Sequence, residues 1–513
     1  RAAASVKPTT VDLGDGLEAE VSVTPDAPTG KTRAVDPISD GKYTILAFDP
    51  ATHDLQGKLK GSVTSGVFTP DAGQKLLLDP GTYDFTCFSE PVEYDEPNNR
   101  LVVYHLLTKN PTIGHVQATI ADDDYEVAFN MEHKAIRVRF NITSDILSEN
   151  TPIDAYLRGV VFGPWYWWRD WYTAYSGVLN NTGNYDYAAD APLNFKTVAP
   201  VTTQAGTTYT SDYVYMLPGR SSYDYISNYT LHFTAGTIGG GSLASKTINL
   251  SGATFPTGFQ WDYNQSITIN VNVKGQLYLF EDGKARVLAG KGTHTPIGLV
   301  IQQKWEPTNQ KGMACALEII KKSVPPAYAW EDETKTLPSN PDHLNTTVYN
   351  GVHDGQNDMN GYNWTWDGSS SLDGKVRGTE ASKYPAFYAA AHYNPGVPVT
   401  GANVGKWFMP SFGQLVKALQ LTAPDYKVTD GNPSMSPWMG AQGAYSDSEA
   451  SRKLDRCLII GGGTGFHGIS SGFIQTSTQV DGSPAHRKYQ PTAIVISEGG
   501  FNQIYVTWKT MMN

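Results

Sequence analysis

The stretch Leu17-Glu-Ala-Glu-Val-Ser-Val23 alternates apolar and polar residues without a break. Ile136-Arg-Val-Arg-Phe-Asn-Ile142 and Ile267-Thr-Ile-Asn-Val-Asn-Val273 do the same. A strict period of two fits an extended strand with one face buried and the other wet, and it does not fit a helix. Composition agrees. Charged residues are 17% of the chain and aromatics 12%, with 50 Gly and 31 Pro, a balance poor in helix formers and rich in strand and turn residues. The expected class is mainly β. At 513 residues there is room for about three domains of roughly 150 residues each.

Residues 1–35 read as two short strands in a polar leader, one carrying Leu17, Ala19, Val21 and Val23 on its apolar face. Pro25, Pro28 and Gly30 then break the chain, and Lys31-Thr-Arg-Ala34 follows in what should be an exposed loop. Strands resume at Tyr43–Phe48, Lys75–Leu78 and Thr82–Phe88, the last two joined by Asp79-Pro-Gly81. Leu101–Leu107 and Val116–Ile120 complete a first sandwich, residues 1–125. A second series begins at Glu126. It opens with Lys134–Ile142, continues through Tyr213–Leu217 and Tyr229–Phe233, and closes with Ser266–Val273, giving a second sandwich over 126–274. Residues 275–513 form the third region. There, Ser411 and Gln414 make a capping-box pair behind Pro410. Phe412, Leu415, Val416 and Leu419 follow at the spacing of one buried helix face. Trp407 and Met409 alternate with Phe408 just upstream, as in a short strand.

A net charge of −11 with no basic stripe argues against a nucleic-acid partner. No apolar run approaches the ~18 residues that span a membrane. The opening Arg-Ala-Ala-Ala has no Met and reads as a mature or trimmed product. Cys87, Cys315 and Cys457 are too sparse for a disulfide scaffold or a Cys-rich zinc site. All three lie in strand-like apolar contexts that suit buried thiols, and a Cys315–Cys457 bridge stays open.

Trp407-x-Met-Pro-Ser411 followed by Gly413-Gln-Leu415 resembles the signature of a C-type-lectin-like domain common in Bacteroidetes surface proteins. Ile297–Ile301, Asp358-Met-Asn-Gly361, Tyr384-Pro-Ala-Phe-Tyr-Ala-Ala390 and Ala444-Tyr-Ser-Asp-Ser-Glu449 match further parts of that pattern. The first 274 residues resemble the fimbrillins, pilus subunits of Bacteroidales. The matching features are Tyr43–Asp49, the turn Leu78–Tyr83, the strand Met131–Ile142, the step Tyr215–Pro218 and the strand Tyr263–Val273. Together the resemblances imply two tandem fimbrillin-type (Ig/transthyretin-like) β-sandwiches followed by an α+β lectin-like domain. They also imply a function. By that resemblance a protease should cut between Arg33 and Ala34, the strand bearing Leu17, Ala19, Val21 and Val23 should leave, and a strand from another pilin subunit should take its place. Phe501–Trp508 follows Ala493–Ser497 across Gly499-Gly500 as the second arm of a hairpin, so this chain should accept a strand without donating one. That describes a tip subunit, exported to an extracellular pilus on the cell surface, with outer-membrane anchoring only through a lipid on a precursor. The alternative is a surface glycan-binding protein that never polymerises.

Aromatic residues carry the candidate recognition sites. Phe162–Tyr175 is the densest aromatic run. Its rings suit sugar faces or protein interfaces when exposed, and a gap-filling loop when folded inward. In the last domain Trp330 with Glu331 and Asp332, and Trp364 and Trp366 with Asp367, join a ring face to acceptors that could hold a glycan's hydroxyls. The same tryptophans suit a core. Tyr445 is added by the lectin-like resemblance. Gln356–Gly361 with Asp367 loosely follows a calcium-loop pattern but departs at its first and last positions, so an ordinary polar turn is expected, with no metal and no cofactor. Gly463-x-Gly465-x-x-Gly468 after an apolar Cys457–Ile460 strand imitates a dinucleotide fingerprint, but the Ser/Thr-rich run behind it is not helical. Gly468-x-Ser470-x-Gly472 lacks the strand–turn–helix setting of a hydrolase. Asp332 and Asp367 could face each other as in a glycoside hydrolase, yet no hydrolase pattern accompanies them. The chain is expected not to be an enzyme.

Overall fold

The computed structural model describes residues 10–26, 38–104, 106–121, 125–159, 168–184, 190–217, 229–255, 263, 265–320, 330–331, 344–424, 426, 445–446, 448–465, 471–480, 490–497 and 502–506. The fold is mainly β. The chain forms two compact units, Arg1–Gly275 and Gln276–Asn513.

The first unit holds two pairs of sheets. One pair sets a six-stranded antiparallel sheet against a four-stranded one. The six-stranded sheet runs Met131–His133, Thr112–Ile120, Gly81–Ser89, Gly41–Phe48, Leu55–Thr64, Val67–Pro70. The four-stranded sheet runs Leu179–Asn184, Trp168–Thr173, Arg100–Tyr104, Glu93–Asp95. Leu46, Phe48 and Phe88 from one sheet meet Leu101, Val103 and Tyr172 from the other in a shared apolar cluster. Alternation puts these side chains on one face of each strand, which is why they can meet. Lys75–Leu78, expected as a strand, is irregular, with Leu77 83% exposed.

The other pair is built around two parallel neighbours, Ile136–Ser144 and Ser266–Gly275. Their sheet runs Thr10–Gly14, Leu17–Pro25, Ser266–Gly275, Ile136–Ser144, Gly206–Thr210, Val201–Thr203, with Val214–Met216 also on Ile136–Ser144 and Leu106–Leu107 beyond it. A five-stranded sheet of Asp190–Leu193, Thr151–Gly159, Tyr229–Ile238, Gly241–Ser242 and Thr247–Asn249 completes the unit. The expected boundary near residue 125 is therefore crossed in both directions. The leader strand sits in the sheet of residues 136–144 and 266–275, not in the 1–125 sandwich. Trp168–Thr173, from the second series, pairs with Arg100–Tyr104 of the first. Strand alternation fixes which face is buried and leaves the choice of neighbour to the long connections.

In the second unit, four strands (Ala285–Arg286, Tyr278–Phe280, Pro296–Gln302, Met313–Ala316) and four more (Tyr445–Ser446, Asn502–Val506, Gln490–Ser497, Ser471–Val480) accompany two longer helices. The first helix is Phe412–Thr422, with Ser411 and Gln414 forming its capping box: Gln414 Oε1 accepts from the Ser411 N–H at 2.9 Å. Phe412, Val416 and Leu419 point into a core with Tyr278, Leu299, Leu454 and Leu458. The second helix, Ser448–Ile460, corrects the expected Cys457–Ile460 strand. Its Ala450, Leu454 and Leu458 recur every four residues and are all buried. A four-residue apolar run cannot by itself separate strand from buried helix. The chain at Trp407–Met409 enters no named strand. The three cysteines are free thiols.

Candidate functional site

The leader is an antiparallel hairpin of Thr10–Gly14 and Leu17–Pro25. Its turn places Gly14, Asp15 and Gly16 at φ 73°, 60° and 78°, a left-handed conformation that Gly and Asp tolerate best. The second arm pairs with Ser266–Gly275 along its whole length, from Leu17 opposite Gly275 to Pro25 opposite Ile267. Leu17, Ala19, Val21 and Val23 are all at most 3% exposed. The acceptor strand contributes Ile267, Ile269, Val271 and Val273, each fully buried. On its other edge the leader strand also bonds to Thr254: Val23 N–H to the Thr254 carbonyl at 2.8 Å and Thr254 N–H to the Val21 carbonyl at 3.0 Å.

Polar contacts tie down both ends of the hairpin. At the turn, Lys246 Nζ donates to the Leu13 carbonyl at 2.6 Å and to Asp15 at 2.8 Å. Lys274 pairs with Glu20 at 2.9 Å. At the far end Asp26 accepts from Ser266 Oγ at 2.5 Å, Thr268 Oγ1 at 2.6 Å and Tyr213 OH at 2.9 Å. Burial alone would raise the Asp26 carboxyl. The hydroxyls of Ser266, Thr268 and Tyr213, with Arg139 3.6 Å away, outweigh it and hold the group below its ordinary 3.8. Arg33 and Ala34, where cleavage is expected, lie outside the described residues.

In the second unit the structure moves several expected ligand residues into the interior. Trp330 is fully buried; its Nε1 donates to the Thr476 carbonyl at 3.1 Å. It packs edge-on against Tyr384 and Phe387, and the Arg377 guanidinium lies 5.0–5.2 Å from all three ring centres. Trp364 is 4% exposed and donates to both Asp358 oxygens. Neither ring offers a face to a ligand, because each completes a packed apolar cluster. Trp366 is half-buried, bonds the Trp407 carbonyl at 2.7 Å and carries Lys406 over its ring at 4.3 Å. Asp367 is exposed and accepts from Ser369 N–H and Oγ at 2.9 and 2.7 Å; these bonds lower its carboxyl from the usual value. Asp332 lies outside the described residues, and of Tyr445 only the backbone, paired with Gln503, is described. From the aromatic run, Phe162–Trp167 lie outside the described residues, whereas Tyr172 joins the first unit's core and Tyr175 stacks on His53 at 3.8 Å.

The calcium-like turn has a structural use. Asp358 is fully buried and accepts from Asn360 N–H at 2.9 Å, Trp364 Nε1 at 2.9 Å and Thr478 Oγ1 at 2.6 Å. Its carbonyl takes the Ser411 hydroxyl at 2.6 Å, tying the turn to the helix cap. A side chain at Gly413 would meet that carbonyl at 2.4 Å, so glycine is what lets the turn approach. Among the described residues no cluster of His, Cys, Asp and Glu could hold a metal ion. What the sequence did not reveal is an apolar cavity of about 270 Å³, lined by Ile301, Cys315, Ala389, Trp407, Leu415 and Leu458 among others. Trp407 and Leu415 belong to the stretch around the helix cap, but they meet Ala389 and Leu458 only through the tertiary fold.

No protein-family model matches the chain, and no curated protein does. Solved structures match parts of it. One, from Bacteroides uniformis and provisionally named a cell adhesion protein, is 14% identical over 51% of this chain and 98% of its own, at a TM-score of 0.30. A second of the same provisional name, from Bacteroides fragilis, is 15% identical over 49% and 86%, at 0.32. A third, from Bacteroides thetaiotaomicron, is 14% identical over 48% and 89%, at 0.24. Likeness at this level assigns no activity to this chain.

Two outcomes are expected. A carboxylate with a depressed folded pKa stabilises the fold above its unfolded value and loses that stabilisation as pH falls through the folded one. Hydrogen-exchange protection of Glu18–Thr24 should therefore hold down to about pH 5 and drop below 3.8, whereas Asp26→Asn should show the weaker protection already at neutral pH. Asp358→Ala removes the acceptor of Trp364 Nε1 and should cost the second unit about 2–4 kcal/mol in chemical denaturation.

Proposed function

We propose that the chain is a surface-displayed subunit of an adhesive fimbria, and that it joins its neighbours by exchanging its N-terminal hairpin for a partner's strand. One observation carries this reading. The leader fills a nine-residue place beside Ser266–Gly275 with four alternating buried side chains. Once the leader was gone, the acceptor strand would become a bare sheet edge over an apolar groove, which is the template that strand addition needs. Burying Leu17, Ala19, Val21 and Val23 contributes roughly 5–10 kcal/mol gross, at ~1.5–3 for each larger side chain. A neighbour's strand could restore that amount.

Asn502–Val506 bears on the direction of exchange. It pairs with Gln490–Ser497 on one side and Tyr445–Ser446 on the other. A strand held on both edges is not available to lend, which supports the acceptor role and a place at the pilus tip. The second unit would then face the ligand, a glycan or another surface molecule, by binding and without chemistry. Among the described residues, Trp366 and Asp367 are the expected contact residues that keep access to solvent. Among the described residues no helix is long and apolar enough to cross a membrane.

An Arg-specific protease should cut the native chain at Arg33 ahead of its other arginines, as read by mass spectrometry; resistance there removes the trigger. On a glycan array the full chain should retain bound sugars that Trp366→Ala loses. Equal retention by the variant would take Trp366 out of the site.

A further inference from the structure

Alternation alone does not fix the register of a strand in the leader's place. A slip of two residues keeps every apolar side chain on the buried face, so the groove of Ile267, Ile269, Val271 and Val273 would accept several alignments and many alternating strands. The outer face of the same sheet is different. Arg137 and Ser266 are register partners on adjacent strands, as are Arg139 and Thr268. Arg137 Nε donates to Ser266 Oγ at 2.7 Å and Arg139 Nε to Thr268 Oγ1 at 3.0 Å. Each hydroxyl passes its own proton on to Asp26, one to each carboxylate oxygen. Tyr213 donates a further bond to Oδ2, and both guanidiniums sit over the Tyr213 ring, at 4.9 and 5.3 Å. Two cations, two serine-type hydroxyls and a phenol thus converge on a single carboxylate three residues beyond Val23.

From this convergence we infer that Arg137, Arg139, Ser266, Thr268 and Tyr213 form a carboxylate socket that selects the incoming strand and sets its register. The inference rests on the strand-exchange reading and specifies its partner. The partner is an alternating apolar strand of another subunit with an acidic group three residues after its last buried side chain. The physical reason is charge and geometry together. The hydroxyls already accept from the arginines, so their protons are left to donate, and an anionic acceptor gains the stronger, charge-assisted bonds. A neutral residue or a strand shifted by two positions forfeits them while still filling the apolar groove. All five socket residues lie on strands or loops that stay with the body of the chain, and Asp26 leaves with the leader. The socket would be vacated by the same cut that opens the groove.

The test uses fluorescent peptides of residues 10–26, native and with Asp26→Asn, bound to two acceptors: the full chain nicked at Arg33, and the uncut Val21→Asp chain, in which the resident strand is weakened. Anisotropy should show the native peptide binding at least tenfold more tightly than the Asn peptide, and Arg139→Gln in the acceptor should shrink that ratio towards one. If the two peptides bind equally, the socket does not read the carboxylate, and strand exchange stands without it. If neither peptide binds either acceptor, the exchange reading itself fails and takes the socket with it. A hydrogen-exchange comparison of the intact chain with its Asp26→Asn form covers the case of a misfolded acceptor, since equal protection of Glu18–Thr24 in both would also overturn the inference.

Discussion

The ladder between Leu17–Pro25 and Ser266–Gly275 joins the beginning of the first unit to its end. It turns what would be an edge strand into an interior one, flanked by the leader on one side and by Ile136–Ser144 on the other. Strand edges are costly to leave open because their N–H and C=O groups need partners and their apolar face needs cover. The first unit answers that need with its own first residues.

The same unit is interleaved. Trp168–Thr173 completes the sheet of Arg100–Tyr104, while the leader completes that of residues 266–275. Each of its two sandwiches thus borrows strands from the sequence range of the other. Contacts so distant in sequence close large loops before they stabilise anything. They also tie the two sandwiches into one compact unit, in which the leader is bonded along Ser266–Gly275, at its turn to Lys246 and at its end through Asp26.

The second unit spends its aromatic and polar residues on internal order. Trp330, Tyr384 and Phe387 surround the Arg377 guanidinium, which burial pushes towards lower pKa. That charge is accommodated by ring faces and by bonds to Asn345 Oδ1 and Ser371 Oγ. Asp358 plays the corresponding role for the helix cap. Removing one partner from such a buried set leaves the others unsatisfied, and that loss is what makes the set hard to change. Residues that resemble a binding surface in the sequence are here part of the packed interior.

Local chemistry was enough for much of this. The in–out pattern of Leu17–Val23, Ile136–Ile142 and Ile267–Val273 follows from a two-residue period, and the helix after Ser411 from its cap and its i, i+3, i+4, i+7 face; both depend on near neighbours alone. The helix Ser448–Ile460 was misread at its end, because the apolar run Cys457–Ile460 suits a strand equally well and the four-residue spacing of Ala450, Leu454 and Leu458 is the only local sign of a helix. Tertiary structure alone decided the rest. Whether Trp330 and Trp364 are ligands or core depends on rings brought together from distant segments. The strand that the leader lies against, and the convergence of Arg137, Arg139 and Tyr213 on Asp26, depend on where the chain returns long after the leader is made. A residue's own sequence can say which way it faces; only the path of the whole chain can say what it will meet there.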